Sequence, residues 1–296
     1  MIKVTLTNEI LRYITEIEQN RYKVSSVKLS KTVMNKLRKN SKKKSSYASN
    51  KIEGNPLSEK QVNEVIESDE RKHYLKPEQE VRNYFLALNY LEEKVKNKEK
   101  FSKQLILDVQ KLVEKGASKE KIGFRGPMPP GVLFAVYDSK TGNPDYIPPE
   151  YCDIPGLLDE LVEYVNTTDD HPLIVAAVVH YQLVTIHPFE DGNGRTARLL
   201  SGYIMDLNGY GFNGIGSLEE YFAYDIDEYY ESIQMALPAL YYSGRENPPH
   251  PEIWINYFLR MVKLYSGKVC DLQLASEEED IAGSLSFLKG KEKELL

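Results

Sequence analysis

The sequence predicts an all-α protein, built as a helical bundle with one β-hairpin. Three observations predict this class. Apolar residues recur at helical spacing over much of the chain, one segment is apolar on nearly every side, and a single segment has the pattern of a hairpin. The chain has 296 residues, of which 41% are hydrophobic and 28% charged, as expected for one large globular domain or two small ones.

Amphipathic helices are predicted where apolar residues recur three, four and seven positions apart. The stripes consist of Val81, Tyr84, Phe85, Leu88, Leu91 and Val95; of Leu105, Val109, Leu112 and Val113; and of Leu157, Leu158, Leu161, Val162 and Val165. Ser102 is suited to cap the start of the second helix, and Gly116 to stop it. Segment 173–186 is apolar nearly all round, which predicts a helix buried at the centre of the bundle.

Segment 131–149 breaks the helical pattern. Its first half is rich in β-branched and aromatic residues, and residues 138–144 are dense in turn formers, so we predict a hairpin there. Residues 243–251, SGRENPPHP, have the composition of a linker before a last helical region.

Composition and charge argue against several kinds of partner. The formal net charge is −6, so no global basic field attracts nucleic acid or an anionic membrane. The N-terminus lacks the pattern of a signal peptide, and segment 173–186 is too short to span a bilayer. Cys152 and Cys270 lie far apart, without metal-type spacing, and are interpreted as reduced thiols. We therefore predict a cytoplasmic protein.

A lysine-rich run at residues 36–44 allows two interpretations. It could form a nucleic-acid patch, but a solvated helix end explains it more simply, given the acidic net charge. His180 lies within the predicted buried helix and is interpreted as a core histidine with satisfied hydrogen bonds. Nucleic acid is therefore not an expected partner.

The most informative residues form the string HPFEDGNGRTAR at 187–198, directly after the buried helix. Pro188 is expected to end that helix near His187, and a new apolar stripe begins after the two glycines. The local architecture is therefore a helix, a tight loop and a second helix. Gly192 and Gly194 allow a close backbone approach, and the N-terminus of the new helix suits a phosphate.

Four side chains of this string fit nucleotide chemistry. Arg195 and Arg198 stand three apart, so both can project from the first turn toward polyphosphate oxygens. Asp191 offers a hard oxygen ligand for Mg²⁺, and His187 is a side-chain type suited to accepting a proton near neutral pH. Each feature alone has an ordinary structural explanation, such as a turn, a helix end or a solvated face. The whole string in register favours a phosphate-binding catalytic site.

This string resembles the signature of the Fic family, H-P-F-x-(D/E)-G-N-G-R-x-x-R, and matches it at every fixed position. The similarity extends over roughly 46–234. Residues 122–125, IGFR, resemble the segment before the family's flap hairpin, and that hairpin would be 131–149. The family fold is a helical bundle with this single hairpin, in agreement with the periodicity.

The resemblance also implies a division of the chain. An N-terminal helical region would occupy 1–75, the Fic core 76–242 and a C-terminal helical extension 243–296. Residues 218–221, LEEY, and the pair that follows at 229–230 match the family only loosely. An aromatic cluster there is interpreted mainly as core, with part of it lining an adenine pocket: Tyr221, Phe222, Tyr224, Tyr229 and Tyr230.

The family activity implied is transfer of AMP from ATP to a protein hydroxyl, with Mg²⁺ as cofactor. By resemblance, His187 would deprotonate a Ser, Thr or Tyr hydroxyl of another protein or of the chain itself, and Asp191 would hold the Mg²⁺. Phosphate binding would fall to Gly192, Asn193, Gly194, Arg195 and Arg198. Of these, Asn193 and the glycine backbone would form an anion hole, Arg195 would bind near the β-phosphate and Arg198 at the γ-phosphate.

The implied flap would dock an extended target segment by strand addition, mainly through backbone hydrogen bonds. Its docking residues would be Val132, Leu133 and Phe134. The sequence leaves a homodimer open, and it does not identify the target protein.

An inhibitory helix is expected upstream, at about 45–54. Ser49 and Glu53 are four apart, on one face of a short helix that Gly54 would terminate. These residues resemble the family's inhibitory motif, (S/T)-x-x-x-E-(G/N), in the class with an N-terminal inhibitory helix. The resemblance implies that Glu53 pairs with Arg198, which deprives the γ-phosphate of its partner.

Two other functions remain open at this point. Glu53 could position a water molecule for hydrolytic removal of AMP, in which case its loss would lower activity instead of raising it. Alternatively, the site could sense ATP in a regulatory protein that binds DNA or a partner elsewhere, although the region after Pro251 is too short for a complete winged helix.

Overall fold

The computed structural model describes residues 2–68, 71–118, 122–137, 142–237, 241–242 and 250–294. It confirms the predicted class, since helices account for most of these residues. The helices are α1 (Asn8–Ser26), α2 (Lys31–Ile52), α3 (Glu59–Glu67), α4 (Lys76–Lys96), α5 (Lys103–Glu114), α6 (Ile154–Thr167), α7 (Pro172–Ile186), α8 (Asn193–Leu207), α9 (Glu219–Tyr224), α10 (Ile226–Gln234) and α11 (Pro251–Glu294).

Helix α7 is the centre of the bundle, as its all-round apolar sequence predicts. Residues 173–183 are all buried, and the helix packs against α6, α8 and α11. On the α11 side, the Trp254 indole N–H donates to the carbonyl of Ala177 at 2.8 Å. Helix α1 lies along α11. This core holds the two ends of the 187–198 string in place.

The helix ends follow local sequence signals. The hydroxyl of Ser102 accepts from the Leu105 N–H at 3.1 Å, which caps the start of α5, and Gly116 beyond its end has a φ of +71°. Helix α7 ends at Ile186, and the next residue, His187, has a φ of 48° in the left-handed region. The predicted helix, loop and helix at the site are therefore present.

The hairpin consists of β1 (Val136–Tyr137) and β2 (Pro144–Ile147), which pair antiparallel. A third strand that the sequence does not predict, β3 (Tyr241–Tyr242), pairs in parallel with β2. Two residues are too few to show an alternating pattern, which explains why β3 escapes prediction. Parts of the predicted turn (138–141) and linker (243–249) lie outside the described residues.

The prediction of a short helix at 45–54 is wrong about its start. Helix α2 begins at Lys31, where the Ser30 hydroxyl accepts from the Val33 N–H at 3.4 Å. The lysine-rich run therefore lies within the helix, not at a solvated end. Periodicity failed because the buried face of α2 is mostly polar or small: Ser41, Lys43, Ser45, Ser46, Ala48, Ser49, Asn50 and Ile52.

Residues 251–294 form the single helix α11. None of the helices in the described ranges combines the length and apolar character needed to cross a membrane. Both cysteines are free thiols, with Cys152 exposed and Cys270 buried.

Candidate active site

His187 is held by its backbone and by one ring nitrogen. Its carbonyl accepts from Arg125 Nε at 2.8 Å, and its Nδ1 lies 3.1 Å from the carbonyl oxygen of Val184. Because a carbonyl can only accept, Nδ1 carries the hydrogen in the neutral ring. The lone pair is then on Nε2, which is the arrangement that a general base requires.

The charge state of His187 follows from its surroundings. Partial burial lowers the pKa of His187 to about 4, against the hydrogen bond to Val184, and the nearby Arg125 charge acts in the same direction as burial. The imidazole is therefore neutral at pH 7. The Phe134 ring lies beside it, with ring centroids 5.9 Å apart.

The amide of Asn193 braces the loop. Its oxygen accepts from the Phe189 N–H at 3.0 Å, and its nitrogen donates to the Phe189 carbonyl at 2.9 Å. The amide nitrogen has a second N–H besides the one that bonds Phe189, so the expectation that Asn193 helps to form an anion hole stays a prediction. Phe189 is fully buried and stacks on Phe124 at 5.6 Å, beneath the loop.

Arg195 turns toward α5. Its Nη2 lies 2.9 Å from Glu114 Oε1 and 3.2 Å from Asp191 Oδ1. The Glu114 carboxyl is almost completely buried, and a Cβ on Gly192 would stand 2.6 Å from its Oε1. Gly192 is thus required by packing as well as by its φ of +82°.

The Glu114 carboxyl is buried so deeply that its ionisation is affected. Burial raises the pKa of Glu114 to about 7, despite the opposing charge of Arg195. Arg195 and Arg198, which the spacing places on one face, contact different elements. Arg195 is held by α5, whereas Arg198 faces α2 and α10.

Arg198 is contacted by both Ser49 and Glu53 of the predicted inhibitory motif. Its Nη2 donates to Glu53 Oε1 at 2.6 Å and to the Ser49 carbonyl at 3.1 Å, and its Nε donates to the Ser49 hydroxyl at 2.8 Å. On the other side, Nη1 lies 3.3 Å from the Tyr229 hydroxyl. Arg198 has a 1% exposed side chain, so the ion pair with Glu53 is largely shielded from water.

Glu53 stands at the C-terminal end of α2, next to the start of α8. A Cβ on Gly194 would come within 2.5 Å of Glu53 Oε1, so the carboxylate packs directly on the first turn of α8. Partial burial alone would raise the pKa of Glu53, but the charges of Arg198 and Arg195 and the hydrogen bond from Arg198 hold it below its ordinary value. Glu53 is therefore an anion at neutral pH, and Gly54 follows with a φ of +80°.

The Asp191 carboxylate reaches solvent, with a side chain that is 38% exposed. Across the described ranges, no group of three or more metal-ligating side chains comes together. An accessible carboxylate such as that of Asp191 fits Mg²⁺ bound together with a nucleotide, because Mg²⁺ takes most of its remaining ligands from phosphates and water.

The flap residues differ in exposure. Val132 and Leu133 are 49% and 62% exposed, whereas Phe134 is half-buried against the Arg125 guanidinium, 4.8 Å from its ring centre. All three precede β1 and lie outside regular strand structure. Arg125 also donates to the Pro149 carbonyl, so it joins both ends of the flap segment to the backbone of the loop.

Several residues that support the site were not predicted. Besides Glu114, the Gln110 amide donates to the Asp191 carbonyl at 3.4 Å and accepts from the Gly123 N–H at 3.2 Å. Gln110 and Glu114 are four apart and border the apolar stripe of α5. Two buried polar residues at helical spacing were therefore the available signal.

Comparisons with known proteins show what the chain is similar to. Residues 100–205 match the Fic/DOC family. A protein adenylyltransferase Fic from Drosophila grimshawi is 26% identical, over 67% of this chain and 40% of the relative. Protein adenylyltransferase fic-1 from Caenorhabditis briggsae is 31% identical, over 78% of this chain and 44% of the relative. The chain thus spans less than half the length of these relatives.

Among solved structures, a Fic family protein from Desulfovibrio desulfuricans superposes with a TM-score of 0.71. It is 23% identical, and the match covers 90% of this chain and 76% of that one. At this identity the likeness shows the fold alone.

Proposed function

We propose that this chain, in which residues 100–205 form a Fic domain, is a protein adenylyltransferase that its own Glu53 inhibits. The observation that carries the proposal is the 2.6 Å ion pair between Glu53 and Arg198 at the start of α8, beside a neutral His187. The names of the relatives support the reaction. Because the chain spans under half of their length, its activity, substrate and partners are proposed here.

In the proposed reaction, His187 Nε2 accepts the proton of a target hydroxyl. The hydroxyl oxygen then attacks the α-phosphorus of ATP, the bond from that phosphorus to the bridging oxygen breaks, and pyrophosphate leaves. A base that is neutral at pH 7 and fixed by its Nδ1 hydrogen bond suits this step, since positioning is a large part of such catalysis.

The phosphates would lie at the N-terminus of α8. Backbone N–H groups there face outward, and the helix dipole favours negative charge. Arg198 is proposed to bind the γ-phosphate, and Arg195 to stabilise the region of the β-phosphate from its place beside Glu114. Asp191 would hold Mg²⁺, which neutralises phosphate charge when bound.

Inhibition would come from competition for Arg198. Glu53 takes the Nη2 hydrogen bond and packs against Gly194, where an approaching γ-phosphate would meet a like charge. ATP would then bind without its γ-phosphate anchor, in a pose that does not present the α-phosphorus to His187. Release requires that the end of α2 withdraws.

The target would be a protein that presents a Ser, Thr or Tyr hydroxyl on an extended segment. The exposed side chains of Val132 and Leu133 beside β1 support docking by strand addition. We place the reaction in the cytoplasm, where thiols such as Cys152 stay reduced.

The test is transfer of label from ATP labelled at the α-phosphate, with Mg²⁺ and a cell lysate as acceptor. Wild type, Glu53→Gly and the double variant Glu53→Gly/His187→Ala are compared at one ATP concentration. We expect weak labelling by wild type and at least about tenfold more by Glu53→Gly, because a charge-assisted hydrogen bond is removed. Labelling by the double variant should fall to background.

Two other results would contradict the proposed transferase activity. No label with any of the three proteins would remove the transferase proposal. Release of AMP from an AMP-modified protein by wild type, lost in Glu53→Gly, would instead identify a hydrolase in which Glu53 positions water.

A further inference from the structure

Arg198 is held from two sides by hydrogen bonds of different origin. Three of the four hydrogen bonds described for its guanidinium go to Ser49 and Glu53, at the C-terminal end of α2, and one goes to the Tyr229 hydroxyl on α10. When the end of α2 withdraws, the first three are lost together. The contact with Tyr229 does not depend on α2.

Tyr229 is in turn held by a buried histidine. Its hydroxyl lies 3.0 Å from His180 Nε2, and both side chains are completely or almost completely buried. The His180 ring stacks on Trp254 of α11, with centroids 4.7 Å apart. These contacts thus connect Trp254 on α11 to the guanidinium of Arg198, through His180 and Tyr229.

The hydrogen positions in the contacts between Arg198, Tyr229 and His180 can be assigned from donor and acceptor rules. Arg198 can only donate, so the Tyr229 oxygen accepts from Nη1, and its own hydrogen is free for His180 Nε2. His180 must then be neutral, with its hydrogen on Nδ1. Burial and the charge of Arg198 both lower the pKa of His180 well below its ordinary value, in agreement with this assignment.

This arrangement leaves one polar atom of the His180 ring unsatisfied. Its Nδ1 is buried and has no hydrogen-bond partner within the described part of the chain. An apolar ring of similar size would avoid an unsatisfied polar atom in the core. A histidine here is therefore better explained by its bond to Tyr229 than by packing.

We propose that Tyr229 and His180 are positioning residues that keep Arg198 aimed at the γ-phosphate after Glu53 withdraws. This inference rests on the proposed function, because it assumes that Arg198 binds the nucleotide. Arg198 would then have a removable set of partners on α2, which inhibits, and a permanent partner on α10, which supports catalysis.

If Tyr229 positions Arg198 for the γ-phosphate, its loss should affect ATP and ADP differently, which a merely structural role would not do. ADP has no γ-phosphate, so loss of the Tyr229 hydroxyl should weaken the binding of ATP and leave that of ADP unchanged. General damage to the fold would instead weaken both nucleotides.

The experiment measures dissociation constants of ATP and ADP by calorimetry with Mg²⁺. The full chain is used with Glu53→Gly and His187→Ala throughout, so that the inhibitory contact is absent and ATP is not consumed. Into this reference we introduce Tyr229→Phe. Its matched control is Tyr257→Phe, since the Tyr257 ring lies 6.4 Å from the Tyr229 ring and its buried hydroxyl has no hydrogen-bond partner in the described structure.

We expect Tyr229→Phe to weaken ATP binding about tenfold and to change ADP binding less than about twofold, as for loss of a hydrogen bond to a charged group. His180→Phe should weaken ATP binding in the same selective way but to a smaller extent, because the Tyr229 hydroxyl remains. Tyr257→Phe should change neither constant.

An unchanged ATP constant in both Tyr229→Phe and His180→Phe would overturn the inference, as would an equal loss for ATP and ADP. Failure of the proposed function gives different results. If the reference binds neither nucleotide, the nucleotide site and the inference fall together. If the reference binds ATP selectively but does not transfer label once His187 is restored, only the transferase proposal fails.

Discussion

Helices α7 and α2 both contact α8, which carries the candidate site, but they do so with opposite chemistry. The buried residues of α7 are almost all apolar, whereas those of α2 are mostly serine, asparagine and lysine. Apolar burial is non-directional and stabilises by roughly 1.5–3 kcal/mol for each large side chain. A hydrogen bond contributes only about 0.5–1.5 kcal/mol net, because water offers an alternative partner.

We infer from this difference that α7 fixes the candidate site, whereas α2 can move away from it. The Glu219 carboxylate takes part in the polar contacts of α2. It accepts from Ser45 on α2 at 2.9 Å, from Ser217 at 3.0 Å and from Tyr84 on α4 at 2.9 Å. Of these three bonds, the one from Ser45 joins α2 to Glu219, and it can be exchanged for a bond with water when α2 moves.

The largest effect is expected from a cavity in α7. Leu183→Ala should lower the free energy of unfolding by about 2–5 kcal/mol, since Leu183 is 1% exposed and leaves a void in the core. In α2, Ser46→Ala should cost less than about 1 kcal/mol, although Ser46 is also fully buried. Urea unfolding of both variants is the measurement, and equal losses would contradict the contrast between the helices.

A smaller effect is expected when α2 is loosened away from the site. Glu219→Gln weakens the contacts to Ser45 and Tyr84, and we expect label transfer to rise severalfold, by about 1 kcal/mol in free energy. The same substitution in the Glu53→Gly background serves as control and should add less than about twofold. A full additional gain there would mean that Glu219 does not act through the inhibitory contact.

The pH dependence of transfer tests the fixed part of the site. The pKa of His187 is lowered to about 4, so the base is neutral and competent above that pH and loses activity as the pH falls through about 4. Glu53 raises the pKa of His187, so its removal moves the acid limb lower still. In Glu53→Gly, kcat/KM should therefore hold below pH 6, with circular dichroism to monitor folding. An acid limb near 6.5 would contradict the assigned surroundings.

Salt should have the smallest effect. Lys42, Lys43 and Lys44 of α2 pair with Glu92, Glu67 and Glu220 on three different helices. Partly exposed pairs of this kind contribute roughly 0–1 kcal/mol each and are screened by salt. Raising NaCl from about 0.1 to about 1 M should increase wild-type transfer by up to about threefold relative to Glu53→Gly. No relative change would show that these pairs do not hold α2.

Most of the helices could be predicted because a helix face that packs in the core has apolar residues at helical spacing. The stripes of α4, α5 and α6 and the all-round apolar α7 lie in the predicted helices. The same rule fails at α2, since its buried face is polar and carries no apolar stripe. It also fails at β3, which is too short to show a period.

For the candidate site, the sequence locates the loop and its charged residues but not their partners. Spacing predicts that Arg195 and Arg198 lie on one face of the helix. In the structure, Arg195 contacts Glu114, whereas Arg198 contacts Glu53 and Tyr229 on the other side. Such pairings depend on helix packing between residues far apart in sequence. Local patterns therefore cannot supply them.

The central claim is that Glu53 inhibits by occupying Arg198, and the most direct measurement is a double-mutant cycle on label transfer. The four proteins are wild type, Glu53→Gly, Arg198→Ala and the double variant, assayed at the same ATP concentration. The account predicts that Glu53→Gly stimulates transfer at least about tenfold when Arg198 is present and less than about twofold when Arg198 is alanine. Equal stimulation in both backgrounds would contradict it, because Glu53 would then inhibit without Arg198.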